Sequence, residues 1–176
     1  MISVCMTTYN GEKYLKAQLS SILSQLSYDD ECLISDDGST DHTIAIIQEF
    51  QNKYPQIRLL QGPRKGVIAN FNYCISQSKG DFIFLADQDD VWHADKVEKI
   101  LALFQLQPQI KLILSDLAIV DSDLKLVYAS YFQYKKVKTG TIANIIRNRY
   151  MGAGMAFRAD LKHEILPIPK HVPMHD

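Results

Sequence analysis

The chain alternates short apolar runs with longer segments in which apolar residues recur at helical spacing. Apolar runs of about four to eight residues bounded by turn formers are typical of strands covered on both faces. Such runs predict strands at residues 2–7, 31–35, 57–60, 82–86 and 112–116. Helices are predicted at residues 12–25, 41–54, 67–77 and 92–107, the second with Ser39 or Thr40 as its cap. This alternation favours an α/β fold with a mostly parallel central sheet flanked by helices.

Beyond residue 116 the pattern is less regular. Residues 124–132 are rich in Tyr and β-branched residues and predict a short antiparallel strand, and residues 154–157 predict a last strand. Helices are predicted at residues 141–147 and 159–166. The prolines that follow exclude regular structure at the end of the chain.

Polar clusters follow three of the predicted strands. They lie at residues 7–10, 36–39 and 87–89, and the last two are rich in Asp. Because the carboxyl ends of parallel strands meet at one edge, where α/β sheets bind ligands, these clusters are expected to converge. Carboxylates suit Mg²⁺ or Mn²⁺, and such ions commonly share one or two carboxylates with substrate phosphates. The sequence therefore predicts a metal-assisted diphosphate site.

Each acidic cluster also has a purely structural interpretation. Asp89 or Asp90 suits the cap of a helix that begins near Trp92, because Asp is favoured at helix N-termini. Asp36 or Asp37 suits an Asx turn or a helix cap, and equally a hydrogen bond to a base or a ribose hydroxyl. Sequence alone leaves these alternatives open.

Composition limits the classes of binding partner and the cellular compartments that the sequence favours. The chain has 176 residues, 47% hydrophobic and 22% charged, with a net charge of −1, so no basic surface argues for nucleic acid. Cys5, Cys32 and Cys74 lie in apolar segments without metal-ligand spacing, which predicts buried thiols in a reducing compartment. No apolar stretch approaches 18 residues, so we expect a cytoplasmic protein with a small-molecule partner.

Several other nucleotide-handling classes lack their motifs here. The chain has no G-x-G-x-x-G after the first strand, no G-x-x-x-x-G-K-[ST] and no G-x-S-x-G. Dinucleotide oxidoreductases, P-loop enzymes and α/β-hydrolases are therefore disfavoured. A sugar-phosphate nucleotidyltransferase is a weaker candidate, because no Gly-rich basic loop follows the first strand.

Residues 7–11, 35–41 and 85–92 resemble successive motifs of the family 2 glycosyltransferases, which have a GT-A fold. The resemblance covers essentially the whole chain, in order, and is nearest to the rhamnosyltransferase-like branch of bacterial cell-surface polysaccharide synthesis. It implies one GT-A-type nucleotide-diphospho-sugar transferase domain, with a nucleotide-binding part at about residues 1–92 and an acceptor-side part at about 93–176. It also implies that a C-terminal portion is missing, through which alone the protein would meet the membrane.

The resemblance assigns roles residue by residue. On the donor side it implies nucleotide-binding roles for Thr7, Thr8, Tyr9, Asp36, Asp37, Asp87, Arg64 and Lys65. Asp87 and Asp89 would hold the Mn²⁺ or Mg²⁺ ion, with Asp89 as its direct ligand. A solvated turn is an equally open interpretation of Arg64 and Lys65.

On the acceptor side, the small residues Gly152, Ala153 and Gly154 would leave room for a sugar, or would allow close strand packing. Trp92 would stack on a sugar or pack its own segment. His175 and Asp176 resemble the family's [Glu/His]-Asp pair, in which the Asp is the catalytic base.

The function expected from the resemblance is inverting, metal-dependent transfer of a sugar. The donor would be a UDP- or dTDP-sugar, and the acceptor a hydroxyl of a glycan or a lipid-linked saccharide at the inner face of the cell membrane. A non-catalytic nucleotide-sugar-binding domain is the alternative.

Overall fold

The computed structural model describes residues 1–137 and 151–169. Its strands are β1 (Ile2–Thr8), β2 (Glu31–Asp36), β3 (Ile57–Gln61), β4 (Phe82–Ala86), β5 (Leu112–Leu114), β6 (Ile119–Val120), β7 (Leu126–Tyr128) and β8 (Met155–Arg158). Its helices are α1 (Leu15–Leu23), α2 (Thr43–Gln51), α3 (Val67–Ser76), α4 (Lys96–Leu106), α5 (Tyr131–Tyr134) and α6 (Lys162–Ile165). The strands and helices predicted over the first 110 residues are confirmed, with ends that differ by a few residues.

Six strands form one sheet in the order β3-β2-β1-β4-β8-β5. Strands β1 to β4 pair in parallel, whereas β8 runs antiparallel to both β4 and β5. The predicted mostly parallel α/β sheet is confirmed. The antiparallel strand joins the second half of the chain to the middle of the sheet.

Both faces of the sheet are covered, so β1 and β2 are buried along their whole length. Val4 and Met6 face a core shared with α1, α2 and α4, while Cys5 faces a second core beneath α3. The free thiols of Cys5, Cys32 and Cys74 are buried, as predicted. Burial raises the pKa of Cys32 well above its usual range.

The irregular second half departs from expectation. Of the predicted strand at 124–132, only Leu126–Tyr128 forms a strand, and it pairs with β6 in a separate two-stranded antiparallel sheet. The helix predicted at 141–147 lies outside the described residues. Among the described helices, none is long and apolar enough to cross a bilayer.

The predicted helix caps are wrong. Helix α2 begins at Thr43, so neither Ser39 nor Thr40 caps it; the Asp41 carboxylate accepts a hydrogen bond from the Thr43 amide instead, at 2.9 Å. Helix α4 begins at Lys96, beyond Asp89 and Asp90, and its N-cap is Asp95. The structural interpretation of Asp89 and Asp90 as helix caps is therefore excluded.

Candidate active site

Three strand ends meet in register at one edge of the sheet. Thr8 pairs with Asp36, and Asp36 pairs with Gln61 on the next strand. On the other side of β1, Met6 pairs with Ala86, the residue before Asp87. The predicted convergence of the polar clusters is confirmed, and we call this the carboxyl edge.

The carboxylate of Asp36 builds the loop that follows β2. It is buried and accepts hydrogen bonds from the Thr8 hydroxyl at 2.8 Å and from the amides of Gly38 and Ser39 at 3.0 and 2.8 Å. The Ser39 hydroxyl donates to it as well. The Asx-turn interpretation describes these contacts, and it also explains why Thr8 is buried against this loop.

Asp37 points its carboxylate at a different target, the turn after β3. One oxygen accepts from the Arg64 amide at 2.7 Å and the other from the Gly66 amide at 2.8 Å. The Arg64 side chain then lies over Gly38, where an added Cβ would come within 3.1 Å of the Arg64 Nε. Gly38 also has a φ of +102°, which favours glycine, so this close approach depends on that residue.

A cavity of about 380 Å³ opens between these two loops. It is lined by Asp36, Gly38, Ser39, Ile44, Gln48, Leu59, Leu60, Gln61, Gly62 and Arg64. Its size and its mixture of aliphatic and hydrogen-bonding groups suit a small organic ligand. A larger open groove of about 680 Å³ lies between α1 and α2, but its acids Glu12 and Glu49 are already paired with His42, Lys16 and Lys53.

Gln88 fastens the loop after β4 to the loop after β1. Its side-chain oxygen accepts from the Tyr9 amide at 3.0 Å, and its side-chain nitrogen donates to the Tyr9 carbonyl at 3.1 Å. An added Cβ on Gly11 would collide with the Gln88 amide. The neutral residue in the acidic triplet therefore has a structural role that sequence reasoning missed.

The three carboxylates around Gln88 differ in their surroundings. Asp89 is exposed at the carboxyl edge, and Asp87 is partly buried, with its backbone carbonyl bonded to the Gln18 amide group at 2.8 Å. Burial, and then the charge of Asp89, raise the pKa of Asp90. The negative charge of Asp89 close to Asp90 favours the binding of a cation at this loop.

These residues fit a divalent metal that arrives with a diphosphate. Within the described ranges, no three acidic, His or Cys side chains gather as a complete metal cage. Asp87 and Asp89 instead offer hard oxygen donors at an open edge. One or two carboxylates completed by phosphate oxygens is the usual arrangement for Mg²⁺.

Trp92 fills a core position and offers no free face to a sugar. The side chain is 6% exposed and packs against Phe84, with ring centroids 5.8 Å apart. The Lys96 ammonium lies over the Trp92 ring, 4.2 Å from the ring centroid. The packing alternative for Trp92 is therefore the one that the structure supports.

Lys96 is the second residue that sequence reasoning missed. Its ammonium donates to the Ala153 carbonyl at 2.8 Å. Burial lowers its pKa to about 8, although the carboxylates of Asp90 and Asp87 oppose that shift. Lys96 is the first residue of α4, where a positive charge is unfavourable because it opposes the helix dipole. This unfavourable position is the feature of the sequence that could have indicated a special role for Lys96.

The segment Gly152–Gly154 forms a 3₁₀ turn close to the end of β4 and to residues 87–90, which we call the acidic loop. Because Phe84 pairs with Ala156, Gly154 lies level with Ala86 at the carboxyl edge. Ala153 and Gly154 are buried, and an added Cβ on Gly154 would come within 2.7 Å of the Ser115 carbonyl. Close packing explains Gly154, while Gly152 is exposed.

The remaining predicted residues differ in their exposure to solvent. Thr7 is buried at the end of β1, Tyr9 is 58% exposed, and Lys65 is exposed in the turn after β3. His175 and Asp176 lie outside the described residues.

Known structures share this fold. Staphylococcus aureus TarS superposes with a TM-score of 0.70 at 20% identity, covering 98% of this chain and 51% of that one. A mannosyltransferase of Pyrobaculum calidifontis, solved with GDP-Man and Mn²⁺, gives a TM-score of 0.71 at 18% identity, covering 97% and 48%. The expected GT-A-type fold is confirmed.

Sequence relatives and a family model agree with it. An uncharacterized glycosyltransferase of Nostoc is 28% identical over 95% of this chain, and the dTDP-rhamnosyl transferase RfbG of Shigella flexneri is 41% identical over 54% of it. The chain spans only 53% and 35% of the lengths of these relatives. The model named Glycosyl transferase family 2 matches residues 3–158, and the chain therefore belongs to glycosyl transferase family 2.

Proposed function

We propose that this chain acts in inverting glycosyl transfer and binds a UDP- or dTDP-sugar as its donor. The acceptor is a hydroxyl of a growing glycan or of a lipid-linked saccharide in cell-surface polysaccharide synthesis. RfbG is named a dTDP-rhamnosyl transferase, and TarS has been solved with UDP and with UDP-GlcNAc, so both donor classes occur among similar proteins.

The observation that carries this proposal is the carboxyl edge itself. The ends of β1, β2 and β4 bring Asp36, Asp37 and the acids of residues 87–90 to one edge of the sheet, and Asp36 lines a cavity of about 380 Å³. Asp36 and Asp37 have hydrogen-bond partners in the loops, whereas Asp89 is exposed and caps no helix, so loop structure alone does not account for it. A nucleoside in the cavity would place its diphosphate toward Asp87 and Asp89.

The chain's own residues divide the work of holding the donor. Asp37 fixes the Arg64–Gly66 turn through two backbone amides, and each carboxylate oxygen retains a lone pair for a base or a ribose hydroxyl. Tyr9 follows β1 at the same edge of the sheet and is exposed. Asp87 and Asp89 would hold a Mn²⁺ or Mg²⁺ ion, which when bound neutralises charge on the departing diphosphate.

Asp176 is proposed as the base that takes the proton of the acceptor hydroxyl. In a longer form of the protein that transfers sugar, Asp176→Asn should lower kcat by roughly 10²–10⁴-fold while leaving donor affinity unchanged, the reach of general base catalysis. Measured turnover also separates this enzyme from a binding domain without catalysis. Because free thiols are typical of a reducing compartment, we propose that the reaction takes place in the cytoplasm, at the inner face of the membrane.

Calorimetry with the 176-residue chain tests the donor site directly. UDP and dTDP should bind with micromolar-to-millimolar dissociation constants in Mn²⁺, and EDTA should weaken binding by roughly tenfold or more. UMP, which lacks the second phosphate, should show much less dependence on the metal. Binding of UDP that is equal with Mn²⁺ and with EDTA would contradict the site.

A further inference from the structure

The Lys96 side chain joins two parts of the molecule that are distant in sequence. It begins on α4 and ends with its ammonium 2.8 Å from the Ala153 carbonyl, 57 positions along the chain. The same ammonium lies over the Trp92 ring, 4.2 Å from its centroid. Trp92 lies two positions after Asp90, so the Lys96 ammonium contacts both the Gly152–Gly154 turn and the segment that follows the acidic loop.

Charge ties the ammonium to the acidic loop as well. Asp90 and Asp87 favour the protonated form of Lys96, and Lys96 in turn favours the ionised form of Asp90. Lys96 is partly buried, and a buried ammonium is rare unless it is paired. The cost of burying the ammonium is offset only where these carboxylates, the carbonyl and the aromatic ring all remain in place.

The Gly152–Gly154 turn is held from its other side by Ser115. The Ser115 amide and hydroxyl both donate to the Gly154 carbonyl, at 2.9 and 3.1 Å. The turn is therefore fastened between the end of β5 and the start of α4. Of these two fastenings, only that of Lys96 is also coupled by charge to Asp87, a residue proposed to hold the metal.

We propose that Lys96 is a positioning residue that fixes the Gly152–Gly154 turn, on the acceptor side, relative to the acidic loop, on the donor side. Binding at the acidic loop is thereby transmitted to the turn. The identity of the donor-side ligand rests on the proposed function, whereas the fastening of the turn by Lys96 does not. The consequence for transfer is a defined distance between the diphosphate and the acceptor hydroxyl.

Hydrogen exchange of the ligand-free chain tests the fastening. Lys96→Met keeps an aliphatic side chain against Trp92 but removes the ammonium, and should speed amide exchange at residues 151–155 by about tenfold or more. Lys99→Met is the matched control, because Lys99 is an exposed lysine of the same helix paired with Asp95. Lys96→Arg retains charge and donors and should restore protection to within about threefold.

Unchanged exchange at 151–155 in Lys96→Met would overturn the proposal, as would equal acceleration in Lys99→Met. If Lys96→Met fails to fold, Lys96→Arg decides: protection near the wild-type level supports the proposal, and protection lost as fully as in unfolded chain overturns it. Melting temperatures measured on each variant distinguish a local opening from a global one.

A second arm uses UDP with Mn²⁺ as the probe. In the wild type, the ligand should slow exchange both at 87–90 and at 151–155, by about threefold or more. In Lys96→Met it should slow exchange at 87–90 alone. Slowing at 151–155 in both proteins would overturn the transmission. If the wild type binds no nucleotide diphosphate, the proposed function fails, and the ligand-free arm still decides the role of Lys96.

Discussion

Four donors surround the carboxylate of Asp36, whereas its neighbour Asp37 is bonded to two amides of another loop. The same residue type therefore has two roles at adjacent positions. Asp36 is buried and shapes the loop, and Asp37 is partly exposed beside the cavity. Asp89, further along the edge, is exposed.

Asp89→Asn should leave the fold intact and remove the metal effect. Exposed substitutions away from caps and networks change the unfolding free energy by less than about 0.5 kcal/mol. An amide is a much weaker ligand for Mn²⁺ than a carboxylate, so UDP should bind Asp89→Asn equally with Mn²⁺ and with EDTA. Thermal melting and calorimetry on the same sample measure both quantities.

Asp36→Asn should behave in the opposite way. The Thr8 and Ser39 hydroxyls donate to one carboxylate oxygen, and the amides of Gly38 and Ser39 donate to the other. An asparagine NH₂ group in place of either oxygen cannot accept, so one of these two pairs of donors loses its acceptor. We expect a loss of about 1–3 kcal/mol of unfolding free energy, measured by urea denaturation. A stable Asp36→Asn variant that has lost nucleotide binding would show that this carboxylate contacts the ligand instead.

Sequence reasoning found the acids of the site but missed Gln88 and Lys96. Acids that follow a strand can be recognised in the sequence, because the strand, its end and the turn after it lie within one short segment. Gln88 and Lys96 act on Tyr9 and Ala153, 79 and 57 positions away. Such contacts depend on the sheet order and leave no trace in local spacing, apart from the cation at the start of α4.

Among the elements, β2 carries different chemistry at its two ends. Its last residue, Asp36, lies at the carboxyl edge, and its first residue, Glu31, lies at the opposite edge. The buried Glu31 carboxylate accepts from the Ser3 hydroxyl at 2.6 Å, the Lys79 amide at 2.7 Å and the Arg58 guanidinium at 2.7 Å. This network ties β1, β2 and β3 to the residues just before β4.

Burial by itself raises the pKa of Glu31, but the hydrogen bonds from Ser3, Lys79 and Arg58 outweigh it and lower the pKa below the usual value. A carboxyl whose pKa is lower in the folded state stabilises the fold above the unfolded pKa, roughly 4.3. That contribution is lost as pH falls through the folded-state pKa.

Glu31→Gln should therefore cost about 1.5–3 kcal/mol of unfolding free energy at pH 7, and the gap to the wild type should narrow near pH 3. Urea denaturation at the two pH values measures it. Glu49→Gln, at an exposed pair of the α1–α2 surface, is the control and should change stability little at either pH. A gap that is constant with pH would mean that the Glu31 charge is irrelevant to the network.

Element-level prediction succeeded where periodicity is long and failed where pairing is non-local. Strands β1 to β4 and helices α1 to α4 follow from apolar spacing. The antiparallel orientation of β8 between β4 and β5 does not, because four residues pair in either direction with the same side-chain pattern. The two-residue strand β6 is too short to show any period.

In the whole molecule, one edge of the central sheet stabilises the fold and the opposite edge contains the proposed binding site. The edge that contains Glu31 is fastened by a satisfied buried network, and the carboxyl edge collects charge, an open cavity and exposed Asp89. The first edge holds the strands in register, and the register in turn sets which side chains meet at the second. The central claim is that a metal and a nucleotide diphosphate meet at the carboxyl edge.

Paramagnetic broadening of backbone amide resonances by Mn²⁺ in the presence of UDP tests that claim most directly. Broadening should be strongest at residues 87–90, extend to residues 36–38 and 64–66, and leave Ser3, Glu31 and Lys79 sharp. Asp89→Asn should abolish it at the same Mn²⁺ concentration. Broadening centred on Glu12, His42 and Glu49, in the groove between α1 and α2, or a pattern identical in Asp89→Asn, would contradict the account.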